Sequence, residues 1–411
     1  MKAGIWSFDS NPEGRHRRGA AWRKGLFAVT VLGIVALVTL LLNILNGAFG
    51  YAALEARVDP ASLAVDGVPL EEQSREQLVA LLQATLSSGA FNKLNTDKPF
   101  NERSRTNVYD LVLERIVRPD IRETWNLWES LTRLSEIRAF TQSEFPEARL
   151  QFINWLNPRF VTRPQTSEAL TAGVRTAILG SLWTILFAIL LAFPIGVSAA
   201  IYLEEFATDN WLTRLIRTNI NNLAGVPSIV YGILGLAIFV RALEPLTSGE
   251  VFGIVNPTTA NGRTVLSAGL TLGLLVLPLI IINAQEAIRA VPQSLRQASY
   301  GIGATKWQTI WSHVLPGALP GILTGTILAI SRAIGETAPL VVVGASTAIS
   351  FDPASPFSKF TTLPIQIYQW TARPQAEFRS LAAAASLVLL GLLLSLNAAA
   401  ILLRNRYSRR S

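Results

Sequence analysis

Two oppositely charged residues and a hydroxyl lie inside an apolar stretch of this 411-residue chain. They are Arg332, Glu336 and Thr337, in the sequence SRAIGETAPL. If a helix begins just after Pro320, they lie near its middle, where an ionisable group costs about 2.5–3.5 kcal/mol in a bilayer. Arg332 and Glu336 are four residues apart, so they share a helix face and can neutralise each other. The pair is either structural or, because a guanidinium offers forked donors to anion oxygens, a contact for an anionic substrate, with Thr337 adding a hydroxyl.

A polar loop at residues 287–316 carries a second pattern, two short helices joined by a hinge. Gly303 supplies the permissive backbone of a sharp turn, and Thr305 and Gln308 form a Thr-x-x-Gln capping box. Pro316 marks the predicted end of the second helix. Apolar residues recur at helical spacing, namely Val291, Leu295, Ala298 and Ile302 in the first helix and Trp307, Ile310, Trp311 and Val314 in the second. Small amphipathic helices of this kind dock into grooves of partner proteins.

The composition argues against several classes of enzyme. The chain has no cysteine and only two histidines, which removes disulfides, thiolate chemistry and Cys/His metal cages. It contains no Gly-x-x-x-x-Gly-Lys-Ser/Thr phosphate loop, and GATK at Gly303 is only superficially similar. We therefore predict no catalytic residue, no metal site and no cofactor bound by this chain.

Apolar runs dominate the rest of the sequence and predict an all-α integral membrane protein with six transmembrane helices. Each run can supply the roughly 20 residues that a helix needs to cross the hydrocarbon. The runs are 26–54, 176–203, 218–240, 264–285, the stretch after residue 316, and 380–403. The first is interpreted as a retained anchor because its apolar core exceeds that of a secretory signal. Gly317, Gly321 and Gly325 have a small-xxx-small spacing that favours close helix packing.

The distribution of Lys and Arg predicts the orientation. The net charge of +8 lies mainly at the two termini, as in cytoplasmic anchors rather than in a nucleic-acid-binding protein. Both termini are then cytoplasmic. The predicted segments are a cytoplasmic N-terminus at 1–25, a first helix at 26–54, an extracytoplasmic insert at 55–168, a membrane domain with helices 2–6 at 169–403, and a cytoplasmic tail at 404–411.

The insert at 55–168 is too long and too charged for a simple linker, and it is predicted to be a small helical domain. Asp120 and Glu123 form an Asp-x-x-Glu capping pattern ahead of Trp125, Trp128, Leu131 and Leu134. The domain serves either as a cap that packs against its neighbours or as a binding surface for a partner protein.

The polar loop resembles the signature of permease subunits of ATP-binding-cassette (ABC) importers, which reads Glu-Ala-Ala, three residues, Gly, nine residues, Ile-x-Leu-Pro. The corresponding residues here are Gln297, Ala298, Ser299, Gly303, His313, Leu315 and Pro316. Gln replaces Glu, Ser replaces Ala and His replaces Ile, so a salt bridge through Gln297 is not implied. The resemblance implies that this loop, including Thr305, Lys306 and Trp307, contacts a cytoplasmic ATPase and transmits its nucleotide-driven motion.

The segment around Arg332 resembles, more narrowly, the PstA-type permease of the phosphate ABC importer, where an Arg-Ala-Ile-Gly-Glu-Thr stretch recurs and its Arg and Glu are implicated in phosphate passage. IYLEEFA, NLAGVPSIVYGIL and GATKWQTI, which begin at Ile201, Asn222 and Gly303, support the resemblance. It implies a phosphate permease in the bacterial inner membrane. The implied partners are a sister permease, two ATPase subunits that hold ATP and Mg, and an extracytoplasmic phosphate-binding protein.

Three other functions stay open. Permeases for molybdate or sulfate share the loop, so the loop alone indicates only the importer class. A membrane receptor or scaffold would use residues 55–168 as a sensor, but it leaves the loop and the charge pair unexplained. An ion-coupled transporter would need no ATPase, and the sequence shows no obvious inverted pair of broken helices to support it.

Overall fold

The computed structural model describes residues 12–65, 67–97, 99–254, 262–345, 349 and 351–408 of the chain. Helices dominate it. The helices are α1 Pro12–Ala48, α2 Arg75–Thr85, α3 Ser88–Asp97, α4 Arg105–Val112, α5 Leu127–Thr132, α6 Leu134–Glu144, α7 Pro158–Thr162, α8 Arg175–Ile201, α9 Trp211–Ala224, α10 Ser228–Gly235, α11 Glu244–Thr247, α12 Val265–Arg289, α13 Gln293–Gly301, α14 Lys306–Thr309, α15 Leu315–Ile334, α16 Ala338–Val343, α17 Leu363–Thr371 and α18 Ala376–Ser408. The strands are β1 Phe49–Ala56, β2 Pro119–Thr124 and β3 Arg149–Asn154.

Five helices among the described residues are long and apolar enough to cross a membrane. They are His16–Ala48, Arg175–Phe206, Val265–Arg289, Lys306–Ile334 and Ala376–Arg406. The run at 218–240 is not one continuous helix, because Trp211–Ala224 and Ser228–Ala242 are separate helical segments bent by 104°. The bend follows from Gly225 and Pro227, since proline lacks an N–H and disfavours a helical residue before it. The predicted six crossings hold if this bent pair counts as one span.

Two predicted helix boundaries also differ from the structure. The first membrane helix ends at Ala48 rather than at residue 54, because 49–56 forms β1, whose backbone pairs with β2 on one side and β3 on the other. The last helix does not end at 403 but continues through the predicted basic tail to Ser408.

The insert is not purely helical, because a three-stranded antiparallel sheet of order β2-β1-β3 forms its base. Asp120 and Glu123 lie in β2, opposite β1, so the capping box predicted there is wrong. The box lies six residues later, where Asn126 and Glu129 cap α5. Helices α2 and α4 form a separate apolar core, in which Leu78 and Val108 are fully buried.

Helices α8, α12 and α15 form the centre of the membrane domain, and small residues set how closely they approach. A methyl group at Gly325 would lie 2.3 Å from Cβ of Asn283 in α12, and one at Gly321 would lie 2.8 Å from Cβ of Ala287. The predicted packing role of the glycine series is therefore confirmed for Gly321 and Gly325, whereas Gly317 has ordinary contacts with Val291.

Candidate substrate contact and coupling surface

Arg332 and Glu336 face each other as their spacing predicts, but they lie at a helix break rather than at mid-helix. Arg332 Nε lies 3.5 Å from Glu336 Oε1. Helix α15 ends at Ile334 with Gly335 as its C-cap, and α16 begins at Ala338. The predicted mid-helix position is therefore wrong, because Gly335 and the proline at 339 divide the helix.

The pair is open on one side. The side chain of Arg332 is 47% exposed and that of Glu336 is 17% exposed. Glu336 lies beside the guanidinium without a hydrogen bond to it, and no other described residue hydrogen-bonds the side chain of Arg332. Two terminal nitrogens thus remain available, and a guanidinium can hold an oxyanion with them in a forked geometry. Thr337 is half-buried next to the pair and caps no backbone N–H with its hydroxyl.

A second broken helix lies against the first. A methyl group at Gly232 in α10 would lie 2.6 Å from Cα of Pro339, so α10 and α16 pack backbone to backbone. The hydroxyl of Tyr231 donates to the carbonyl of Leu223 at 2.8 Å, which bridges the break between α9 and α10. This pair of broken helices was not predicted from the sequence. A glycine followed by a proline a few residues later nevertheless marks both breaks, at Gly225 and Pro227 and at Gly335 and Pro339.

The polar loop forms the predicted two helices with a hinge. Helix α13 ends at Gly301, and Gly303 adopts a φ of 84° that residues with a side chain rarely adopt. Thr305 and Gln308 form the predicted capping box at the start of α14. The predicted end at Pro316 is wrong. The chain continues from Lys306 through a π-helical turn at 310–314 into α15, where Pro316 occupies an early position that tolerates a missing N–H.

The outer face of this loop carries large exposed apolar side chains. They are Leu295, Ile302, Trp307 and Trp311, and the two indole rings stack with centroids 5.8 Å apart. Most of the predicted coupling residues are also exposed, namely Gln297, Ala298, Gly303, Thr305, Lys306, Trp307 and Pro316. Large apolar side chains exposed together on a polar loop are typical of a surface that binds a partner.

Two predicted coupling residues face inward instead. Ser299 is buried, and its hydroxyl lies 2.8 Å from that of Thr309, so it joins the two short helices. Leu315 is half-buried at the start of α15. Residues Ile310 and Val314, predicted for the apolar face of the second helix, are buried against the membrane domain. The exposed face of the loop is thus narrower than the sequence pattern indicates.

The sequence reasoning missed the residues that fasten this loop to the membrane domain. Arg296 lies 2.7 Å from Glu205, and the two side chains are only 8% and 7% exposed. Arg296 also donates to the carbonyls of Ile288 at 2.9 Å and Val291 at 2.7 Å, at the end of α12. One guanidinium therefore connects α13, the end of α12 and the π-helical turn at 202–206 that follows α8.

The neighbouring carboxylate extends the same network. Glu204 accepts from Arg217 of α9 and from Arg289 of α12, both at 2.9 Å. The available signal was the pair of adjacent acids in IYLEEFA at the end of an apolar helix. A charged group there needs a partner, because burying it alone is costly.

The family comparison covers the part of the chain that contains both sites. The profile of the family "Binding-protein-dependent transport system inner membrane component" matches residues 192–409, more than half of the chain. The chain belongs to this family. It is a permease subunit of an ABC importer and a multi-pass membrane protein, and subunits of this kind are generally non-catalytic. The prediction of an importer-type membrane fold is thereby confirmed.

Individual relatives agree with the family assignment. The permease is 30% identical over 219 residues to the probable ABC transporter permease protein YqgI of Bacillus subtilis, covering 53% of this chain and 68% of that protein. It is 35% identical over 244 residues to the phosphate transport system permease protein PstA 1 of Mycobacterium tuberculosis H37Rv, covering 59% and 73%. It is 35% identical over 188 residues to PstC of Xylella fastidiosa, covering 43% and 58%.

Two solved ABC transporter structures show partial similarity to the permease. An inward-facing MetNI methionine ABC transporter has a TM-score of 0.42 and 19% identity, covering 57% of this chain and 95% of that one. A bacterial alginate ABC transporter in complex with a periplasmic protein bound to an alginate pentasaccharide has a TM-score of 0.44 and 16% identity, covering 74% and 94%.

Proposed function

We propose that this permease is the PstA-type subunit of a phosphate importer and that Arg332 contacts inorganic phosphate during its passage. The observation that carries the proposal is the half-exposed guanidinium at the break between α15 and α16, which lies 3.5 Å from Glu336 and has free hydrogen-bond donors. Phosphate accepts hydrogen bonds on several oxygens and suits the free nitrogens. The names of the PstA and PstC relatives support phosphate among the oxyanions.

The arrangement of Arg332 and Glu336 favours transient binding of phosphate over tight binding. Glu336 lowers the net positive charge that an arriving anion meets, and the exposed side of Arg332 leaves a route for exit. Conduction requires binding that is weak enough for release. Thr337, adjacent to Glu336, offers a further hydroxyl to the same anion.

ATP and Mg belong to partner ATPases in this proposal. Two cytoplasmic ATPase subunits dock on the exposed Leu295, Ile302, Trp307 and Trp311, and their closure moves α13. The ion pair between Arg296 and Glu205 passes that motion to α8 and α12. Gln297, exposed on α13, offers a hydrogen bond where the family commonly has a glutamate.

The other subunits that we propose are those of the same importer class. A sister permease completes the pathway as a heterodimer, and an extracytoplasmic phosphate-binding protein delivers the substrate. The chain resides in the bacterial inner membrane with both termini in the cytoplasm and the 55–168 insert outside. The bilayer is its surrounding medium, and we propose no nucleic-acid partner.

The test is uptake of radiolabelled phosphate by vesicles that contain the assembled importer, with ATP inside and molybdate or sulfate as competitors. Arg332→Gln is expected to abolish phosphate uptake while assembly is retained, and Arg138→Gln, at an exposed position of α6, serves as the matched control. Entry of molybdate or sulfate in place of phosphate would assign another oxyanion. Wild-type uptake by Arg332→Gln would make the pair structural, and uptake without the ATPase would favour an ion-coupled transporter.

A further inference from the structure

Helix α5 of the insert carries two large apolar side chains that nothing in the described chain covers. Trp128 is 69% exposed and Leu131 is 71% exposed. They are three residues apart and therefore share one face of the helix. The opposite face is anchored, because Ser130 is buried and its hydroxyl accepts from the backbone N–H of Tyr51 in β1. The outward direction of the apolar face is thus fixed by the fold.

A hydrogen bond sets the height of this face relative to the membrane. The backbone N–H of Trp128 donates to Oδ1 of Asn46 at 2.7 Å. Asn46 lies in the last turn of α1, about 3 Å along the axis from Ala48 at a rise of 1.5 Å per residue. Helix α5 therefore begins at the level where the long apolar helix leaves the hydrocarbon.

The composition of the face fits that level. Tryptophan is enriched at the boundary between hydrocarbon and water, where its ring is buried and its N–H is hydrated. Arg133, the exposed C-cap of α5, places a cation beside the two apolar side chains, where lipid phosphates lie. The neighbouring helix α1 also carries exposed apolar side chains, including Leu40 and Leu42.

We propose that Trp128 and Leu131 insert into the lipid interface at the end of α1, so that α5 anchors the insert on the membrane surface. The contact holds the base sheet close to the bilayer, since α5 follows β2 after a two-residue connection and packs on β1. The insert then has a fixed orientation above the permease rather than a tethered, freely moving one.

The natural absence of cysteine allows a direct test. Trp128→Cys and Leu131→Cys are labelled with an environment-sensitive NBD group in the full chain, assembled with its partners in vesicles of phosphatidylethanolamine and phosphatidylglycerol. Lys93→Cys, exposed on α3 in the helical part of the insert, is the matched control. Lipids that carry a nitroxide at the headgroup or at the centre of the acyl chain serve as quenchers. Each variant replaces an exposed side chain, so the buried contacts of the insert are retained.

The expected result is a blue-shifted emission at 128 and 131 with quenching by the headgroup nitroxide about two-fold or more above that at 93, and weaker quenching by the acyl-chain nitroxide, as for an interfacial depth. Quenching equal to that at 93 would overturn the proposal. A blue shift without nitroxide quenching would also overturn it and would assign the face to a protein partner. None of these outcomes depends on phosphate transport.

Discussion

Two ion pairs of this permease use the same chemical groups in opposite ways. Arg296 and Glu205 are 2.7 Å apart and almost fully buried, whereas Arg332 and Glu336 are 3.5 Å apart and Arg332 is half exposed. The buried guanidinium has further acceptors in two backbone carbonyls, and the exposed one has free donors. The two pairs therefore differ in how much hydrogen-bonding capacity their guanidinium groups leave unused. We call the pair of Arg296 and Glu205 saturated, because its guanidinium has several acceptors, and the pair of Arg332 and Glu336 unsaturated, because donors remain free. A saturated pair holds elements together, and an unsaturated pair can bind a ligand.

The largest expected loss of stability follows substitution in the saturated pair of Arg296 and Glu205. Glu205→Gln leaves Arg296 buried beside a neutral partner, and the free energy of unfolding should fall by about 3–5 kcal/mol. The measurement is thermal or denaturant unfolding of the purified chain in detergent. Glu286→Gln is the control, because that exposed carboxylate lies 3.9 Å from Arg289.

The double substitution Glu205→Gln with Arg296→Gln separates two causes of the lost stability, namely the missing ion pair and the unpaired buried charge. It should recover part of the stability, because the unpaired buried charge is then removed. An unchanged unfolding midpoint in Glu205→Gln alone would contradict the saturated description of the pair.

Substitution of Glu204 should cause an intermediate loss of stability. Its carboxylate is 11% exposed, but Arg217 and Arg289 are 34% and 56% exposed and can be rehydrated when it is lost. We expect Glu204→Gln to reduce the free energy of unfolding by about 1–2 kcal/mol, between the values for buried and surface pairs. A loss as large as that of Glu205→Gln in the same unfolding assay would show that the two carboxylates act as one unit.

The unsaturated pair should contribute little to stability. The side chain of Arg332 is already half exposed, so Arg332→Gln should change the free energy of unfolding by less than about 1 kcal/mol. The same variant should lose phosphate uptake in vesicles. Strong destabilisation together with lost uptake would remove the distinction between the two pairs.

The smallest change in stability is expected at an exposed ion pair of the insert. In this pair Arg122 Nε lies 2.7 Å from Glu55 Oε2. The hydrogen bond from Arg122 holds the pKa of Glu55 below its ordinary value of 4.5. Stability from this pair is therefore present above pH 4.5 and lost as the pH falls through the lowered pKa. Glu55→Gln should slightly flatten the acid side of a plot of unfolding temperature against pH. An identical acid profile for the variant would show that the pair contributes nothing.

Much of the fold was predictable because hydropathy and capping are local properties. The apolar runs predicted α8, α12 and α18 to within a few residues, and the box at Thr305 predicted the start of α14. The insert was harder, because residues 49–56 are apolar enough to extend α1 and become β1 only through pairing with strands distant in sequence.

The candidate site was predictable in its residue types but not in its position. The spacing of Arg332 and Glu336 determined that they would face each other, whereas the end of α15 at Ile334 was missed although Gly335 and Pro339 flank the break. The network of Glu204, Glu205 and Arg296 could not be predicted at all. Its members come from separate elements, and no local pattern indicates which of several arginines meets which carboxylate.

The sequence by itself determined the membrane class, the hinge at Gly303 and the importer family, because each depends on composition or on residues close together in the chain. The tertiary structure decided which charges are buried and which stay open. Burial depends on how α8, α12 and α13 pack, and that packing is set by contacts between residues far apart in sequence. The distinction between the buried Arg296 and the half-exposed Arg332 therefore appears only in the folded chain.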